Sequence, residues 1–290
     1  MKEKDRYIVF SIVLFVEILA LITFAFCGGD MCKNKILCFL GLNAVISLVL
    51  FGILGGANIA INWICNYTGE PVHISKEDLH YKSKFKSARE IYIDKDVANI
   101  PYKYFSDFEN LQCIVFEGEN TAISPNAFEG CKNLERVYLP SKLEKIRDNT
   151  FKNCKKLEEI TIPKSVTKIG KEAFKDCTNL TSVTIGNDVE EIEKDTFSGC
   201  DKVETLVIGD GLTSLDNLPI TPELKSITIG NNVTEIGMGA FKDCGKLENV
   251  TFEDTNGWHY ADDKPIDVSN SVENAKKLKK SNCIWYKQQN

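Results

Sequence analysis

The stretch LEEITIPKSVTKIGKEAFKDCTN, residues 157–179, decides how most of this chain folds, because the chain keeps repeating it. Copies follow one another as LERVYLPSKLEKIRDNTFKNCKK from Leu134, LTSVTIGNDVEEIEKDTFSGCDK from Leu180 and LKSITIGNNVTEIGMGAFKDCGK from Leu224. Less regular copies begin at Ala88, Leu111 and Val203. The period is 23 residues, and the Val203 copy is two residues short, with LPITPE where its Phe and Cys region should be. A fixed period in this range marks a solenoid, in which each repeat is one structural unit stacked on the next. The short copy should make the coil bulge or tighten.

Each unit opens L-x-x-V-x-I. Its first, fourth and sixth residues are apolar, and the last three positions alternate as in a half-buried strand. A turn follows, carrying Pro140, Pro163 or Gly186, then a short apolar pair such as Val166 and Ile169, then A-F-x-x-C in one helical or 3₁₀ turn. No unit can bury its apolar side alone. Stacking joins Leu134, Leu157 and Leu180 into one ladder and Val137, Ile160 and Val183 into another, with Phe128, Phe151, Phe174, Phe197 and Phe241 filling the wide side of the coil. Cys131, Cys154, Cys177, Cys200 and Cys244 share one slot of successive coils. Parallel side-chain directions there give poor disulfide geometry, and a small, weakly hydrogen-bonding thiol suits a tight buried turn, so these cysteines are read as free.

The run from Leu157 to Cys177 follows, almost letter for letter, the pattern L-x-x-V-x-I-P-x-x-V-x-x-I-G-x-x-A-F-x-x-C, and seven units resemble the BspA-type leucine-rich-repeat family. The resemblance covers residues 88–286. TFEDTNGW from Thr251, IDVSN from Ile266, Asn274 with Ala275, and Trp285-Tyr286 look like that family's terminal cap. A cap is physically required, since an open end would expose the ladder and an unpaired strand edge. The resemblance implies a surface-displayed adhesion or ligand-binding module.

The amino-terminal part reads differently. Residues 8–26, IVFSIVLFVEILALITFAF, are apolar except for Glu17 and would reach about 28 Å as a helix, roughly one hydrocarbon core. A second apolar run, 36–64, is long enough to cross with tilt, and Trp63 and Tyr67 near its end fit an aromatic belt. The expectation is a transmembrane hairpin joined by GGDMCKNK, with Glu17 protonated or facing Asn43 or Asn58, and with Gly52 and Gly56 spaced for close helix approach and self-association. A cleaved signal peptide competes for the first run, but its apolar core is long, and Phe26 sits where a lipoprotein signal would put a small residue before Cys27. The resulting division is a membrane anchor over 1–67, a linker or amino-terminal cap over 68–87, repeats over 88–246, and a last strand with cap over 247–290. Lys and Arg near the two runs favour both ends on the cytoplasmic side, against the outward display that the resemblance implies.

A net charge of −6 with scattered Lys and Arg argues against nucleic acid as a partner. No C-x-x-C or H-x-x-x-H spacing occurs, so neither a metal nor a cofactor is expected. His259 beside Asp262 and Asp263 is the one catalytic-looking constellation. A solvated loop explains it better, and the chain is read as a non-enzyme. Binding is expected on the sheet face, where the third and fifth strand positions point outward. The third-position residues are Cys113, Arg136, Glu159, Ser182, Thr205, Ser226 and Asn249, and the fifth are Val115, Tyr138, Thr161, Thr184, Val207, Thr228 and Thr251. Threonine suits exposed strands whether or not anything binds, so Arg136 and Tyr138, residue types enriched at interfaces, carry the expectation of a protein or glycan ligand. The alternative reading is a structural envelope protein that associates with its own copies.

Overall fold

The computed structural model describes residues 71–260, 262–280 and 284–288, all within the compact unit Pro71–Asn290. The transmembrane hairpin expected at 8–26 and 36–64, with Glu17, Gly52 and Gly56, lies outside the described residues. Among the described residues, no helix is long and apolar enough to cross a membrane.

The repeats form a succession of short parallel strands, one per coil. The first four are β1 (Val72–Ile74), β2 (Glu90–Ile93), β4 (Cys113–Phe116) and β6 (Arg136–Tyr138), which make one parallel sheet. The next five are β8 (Glu159–Thr161), β10 (Ser182–Thr184), β12 (Thr205–Val207), β13 (Ser226–Ile229) and β15 (Asn249–Phe252), which make a second. Register follows the sequence period: Ile91, Ile114 and Val137 are partners across β2, β4 and β6, and Ile160, Val183, Leu206, Ile227 and Val250 across the second sheet. A minor ladder runs along another side of the coil. Its strands are β3 (Asn99–Ile100) with β5 (Ala122–Ile123), and β7 (Lys145–Ile146), β9 (Lys168–Ile169) and β11 (Glu191–Ile192).

The strand ladder starts before residue 88, inside the stretch read as a linker or cap. Val72 and Ile74 alternate like a strand and align with Ile91 and Ile93. The coil between them is shorter than 23 residues, so the period does not reveal it. A 3₁₀ segment, Asp78–Phe85, closes this coil and buries Phe85.

Stacked coils place each residue over its own counterpart, and the core is built from that repetition. Phe105, Phe128, Phe151, Phe174 and Phe197 form a continuous stack with ring centroids 4.9, 5.2, 5.4 and 5.2 Å apart and planes within 9° of parallel. Four thiols of the cysteine ladder donate to the carbonyl of the Phe in the coil before. Cys131 reaches Phe105 (3.1 Å), Cys154 reaches Phe128 (3.3 Å), Cys177 reaches Phe151 (3.3 Å) and Cys200 reaches Phe174 (3.1 Å). These cysteines are free and buried. Burial pushes the Cys131 thiol up to about 12 and holds Cys154 and Cys177 well above the ordinary thiol range. The turns recur too: Asn126, Asn149, Glu172 and Asp195 take positive φ in successive coils, as do Gly130, Asn153, Asp176 and Gly199. Gly, Asn and Asp tolerate that conformation best, which explains their recurrence at both sites.

The short copy behaves as its length requires. Leu206 and Ile227 remain partners although the coil between them has lost two residues. The loss falls on the far side, where no minor-ladder strand forms among the described residues between β12 and β13. Thr221 takes the cysteine slot and its hydroxyl donates to the Val203 carbonyl at 2.8 Å, while this coil has no phenylalanine to continue the aromatic stack beyond Phe197.

The open end after β15 is closed by β14 (Glu235–Ile236), β16 (Trp258–Tyr260), helix α1 (Ser271–Lys280) and β17 (Trp285–Lys287). β17 pairs antiparallel with both β14 and β16, which turns the chain across the solenoid axis. α1 lies against β15, and its buried Asn274 donates to the Val250 carbonyl (3.0 Å) and to Val268 (2.7 Å). That bond occupies a carbonyl of the last strand, the group an uncapped end would leave open. Trp258 and Trp285 are buried beside Phe252.

Replacing Phe151 with alanine should cost about 3–5 kcal/mol of unfolding free energy, because the ring is wholly buried between two others and little can collapse into its space. Denaturant unfolding of the variant checks this. Iodoacetamide followed by mass spectrometry should leave Cys131, Cys154, Cys177 and Cys200 unmodified in the native protein and label all four in denaturant.

Candidate functional site

The sheet face divides into two surfaces of different chemistry. On β8 to β15 the outward residues are Glu159, Thr161, Ser182, Thr184, Thr205, Val207, Ser226, Thr228, Asn249 and Thr251, and all are exposed or half-exposed. Register sets them in two straight rows, Glu159 through Ser182, Thr205 and Ser226 to Asn249, and Thr161 through Thr184, Val207 and Thr228 to Thr251. This is a mostly hydroxyl-bearing surface that β-propensity accounts for by itself. On β1 to β6 the corresponding rows are Glu90, Cys113 and Arg136, and His73, Tyr92, Val115 and Tyr138. Here aromatic rings and charges replace the hydroxyls.

Cys113 departs from the expectation of an outward, accessible position. It points to the face but is 3% exposed, because the longer side chains of its register neighbours Glu90 and Arg136 close over it. Burial and the Glu90 charge raise its thiol, while Arg136 partly offsets them.

Between β6 and β8 the sheet opens. Elsewhere the backbone N–H two residues before a strand's central apolar residue bonds the preceding coil at 2.8 Å, as Glu135 does to Gln112, Thr181 to Glu158 and Glu204 to Thr181. Glu158 reaches Glu135 only at 3.4 Å. Further along, Ile162 donates to the Thr184 carbonyl and Ile185 to Val207, both at 2.8 Å, but among the described residues no equivalent bond joins Leu139 to Thr161. Proline contributes to this parting. At the same coil position Glu117 donates to Ile93 (2.9 Å) and Glu253 to Ile229 (3.0 Å), whereas Pro163 has no N–H to offer Leu139.

The opening has two consequences. Val137 and Leu139 are only half-buried, although their counterparts Ile114, Ile160 and Ile162 are almost completely enclosed. A groove of about 410 Å³ forms, lined by Arg136, Val137, Tyr138, Leu139 and Ser141 from one coil and Glu159, Thr161, Pro163 and Lys164 from the next. Its floor is apolar, its walls carry both signs of charge, and the Tyr138 ring stands beside it 52% exposed. Of the expected face residues, the structure therefore brings Arg136, Tyr138, Glu159 and Thr161 to one place, leaves Cys113 and Val115 on the first sheet, and leaves the other eight on the hydroxyl surface. Sequence reasoning missed Val137 and Leu139, because their pattern marks them as core. The signal available was proline in two successive turns, at 140 and 163.

The His259 constellation is occupied within the cap. The His259 Nδ1–H donates to the Gly257 carbonyl at 2.8 Å, its ring stacks on Tyr286, Tyr286 donates to Asp263, and Asp262 holds Lys264 at 2.5 Å. No nucleophile faces it among these partners. His73, read as part of a linker, instead stands on β1 with Asp94 and Glu117 beside it.

Residues 98–219 and 144–258, in six copies, match the BspA type leucine rich repeat region. No curated protein matches. Among solved structures, a leucine-rich-repeat protein of T. pallidum is similar at 23% identity over 54% of this chain and 77% of that one, with a TM-score of 0.45. One from Bacteroides ovatus is similar at 23% identity over 55% and 60% of the two chains (TM-score 0.32), and a leucine rich cell surface protein of Faecalibacterium prausnitzii at 20% over 60% and 63% (TM-score 0.35). The chain thus spans less than two thirds of the last two. The indicated family is not a catalytic one, and its fold is generally a protein-binding or surface module. The matched repeats cover more than half of the sequence, and with their ladder, aromatic stack and thiol slot the chain belongs to the BspA-type leucine-rich-repeat family.

Proposed function

We propose that this chain is a membrane-anchored binding module that engages a protein partner at the opening between β6 and β8, with Arg136 and Tyr138 as its anchors. The observation that carries the reading is the groove itself, where two core residues, Val137 and Leu139, meet solvent. Interfaces concentrate their energy in small, desolvated pockets flanked by aromatic and Arg side chains, and this is where the described surface offers that combination. Arg136, Lys164 and Glu159 can select a partner by charge, while the apolar floor takes a side chain from it. A glycan is the alternative occupant, since Tyr138 offers a flat ring beside polar groups.

The anchor rests on the apolar runs at 8–26 and 36–64, and the reading includes outward display of the repeats. A second reading is self-association, with Gly52 and Gly56 packing anchors together and repeats meeting repeats.

A photo-crosslinking residue placed at Tyr138 should yield a discrete adduct on cells, one at Thr184 on the hydroxyl surface should yield little, and Arg136→Ala should weaken the Tyr138 adduct severalfold while leaving thermal unfolding nearly unchanged. Equal labelling from both positions would reject the groove, and an adduct with twice the mass of the chain would favour self-association. Protease treatment of intact cells should remove residues 71–290; protection until lysis would reject outward display.

A further inference from the structure

We propose that His73, Asp94 and Glu117 form a binding site for a divalent first-row transition metal, with zinc as the best-fitting ion. The three residues come from three successive coils. His73 is the central residue of β1, and Asp94 and Glu117 directly follow β2 and β4. The strand register therefore sets both carboxylates on one row beside the imidazole: the Asp94 N–H bonds the Ile74 carbonyl at 3.0 Å and the Glu117 N–H bonds Ile93 at 2.9 Å, so each holds its place against the coil before.

The ligating atoms are already assembled. His73 Nδ1 lies 3.0 Å from Asp94 Oδ1 and 3.9 Å from Glu117 Oε1, and all three atoms fall within 4.8 Å of one another. Ligands bound tetrahedrally at about 2.0–2.2 Å stand roughly 3.3–3.6 Å apart, so an ion needs only small side-chain rotations to enter. The imidazole is oriented in advance by the Tyr92 ring, stacked on it at a centroid distance of 5.1 Å and an angle of 23°. One nitrogen and two carboxylate oxygens, with a fourth position open to water, suit zinc and its neighbours; calcium would need six to eight oxygens.

Charge is compatible with an ion at this place. Some acidic side chains on this surface meet a lysine of the neighbouring coil, as Glu119 meets Lys142, Glu135 meets Lys156 and Glu204 meets Lys225. Among the described residues no Lys or Arg pairs with Asp94 or Glu117, and the His73 imidazole is the basic group each approaches. A divalent cation would neutralise both carboxylates and tie the edge strand β1 to the two coils beneath it. Sequence spacing rules pass over such a site because they look for ligands a few residues apart. Here His73 and Asp94 are 21 residues apart, about one coil of the solenoid.

The test is calorimetric titration of zinc into the full chain, stripped of metal by chelator, alongside His73→Ala and Glu117→Gln. Both positions are partly exposed, and matched circular dichroism spectra establish folding; should one variant fail to fold, the other still decides. Zinc held by cysteines elsewhere is common to all three proteins and cancels in the comparison. The expected result is one zinc equivalent in the unaltered chain that each variant binds more weakly by at least about tenfold, since loss of a direct ligand exceeds the 10–100-fold cost of disturbing outer contacts. Zinc should also raise the thermal midpoint of the unaltered chain and not of the variants. Equal binding by all three, or no zinc equivalent that depends on His73 and Glu117, would overturn the site and leave these residues as a plain imidazole–carboxylate hydrogen bond. The result stands apart from the Tyr138 crosslinking, which neither substitution touches.

Discussion

Everything in this unit depends on one constraint: each coil must place its strand in register on the strand of the coil before, one β-ladder spacing away. That spacing is too small for unlike side chains to share a level comfortably, so each position packs against its own copy. The phenylalanine stack follows, with rings about 5 Å apart and almost coplanar. So does the thiol slot, where cysteine is small enough to sit under a turn and can still give its S–H to the carbonyl of the neighbouring coil. The same constraint explains the glycines in the turns. A Cβ on Gly186 would overlap the Pro163 carbonyl of the coil before it.

The places of functional interest are those where the constraint is relaxed or ends. At β6 and β8 the ladder parts, and the apolar residues that elsewhere close the core become the floor of a groove. At β12 the lost residues are absorbed on the far side of the coil, so the sheet face stays continuous, and Thr221 stands in for the thiol with a hydroxyl that bonds the Val203 carbonyl of its own coil. At the carboxy-terminal end the register has no further coil to meet. There the antiparallel β17 and the side-chain amide of Asn274 stand in for one.

The first sheet and the second do different physical work although they share one repeat. The second carries mainly hydroxyls and small polar groups, good for an exposed strand and undemanding toward a partner. The first carries Tyr92 and Tyr138 rings, Arg136, and the His73 cluster, and β1 is its edge strand among the described residues. The proposed groove, whose other wall is Glu159 and Thr161 of β8, and the proposed ion site therefore both draw on the first sheet.

The sequence by itself determined the solenoid, its 23-residue register, the inward ladders, the free thiols and the cap, because in a repeat each of these depends on contacts between a residue and its counterpart one period away. It also pointed to Arg136 and Tyr138, since they break the Ser and Thr pattern of the outward positions. Only the tertiary structure decided that the coil before residue 88 already belongs to the ladder, that Cys113 is covered by Glu90 and Arg136, and that Val137 and Leu139 reach solvent. The reason is that these depend on how two adjacent coils fit, on a shortened turn, a longer neighbouring side chain or a proline without its N–H, and periodicity averages such differences away. The meeting of His73, Asp94 and Glu117 belongs to the same class: three residues unremarkable in the sequence become neighbours because the coil returns to the same place.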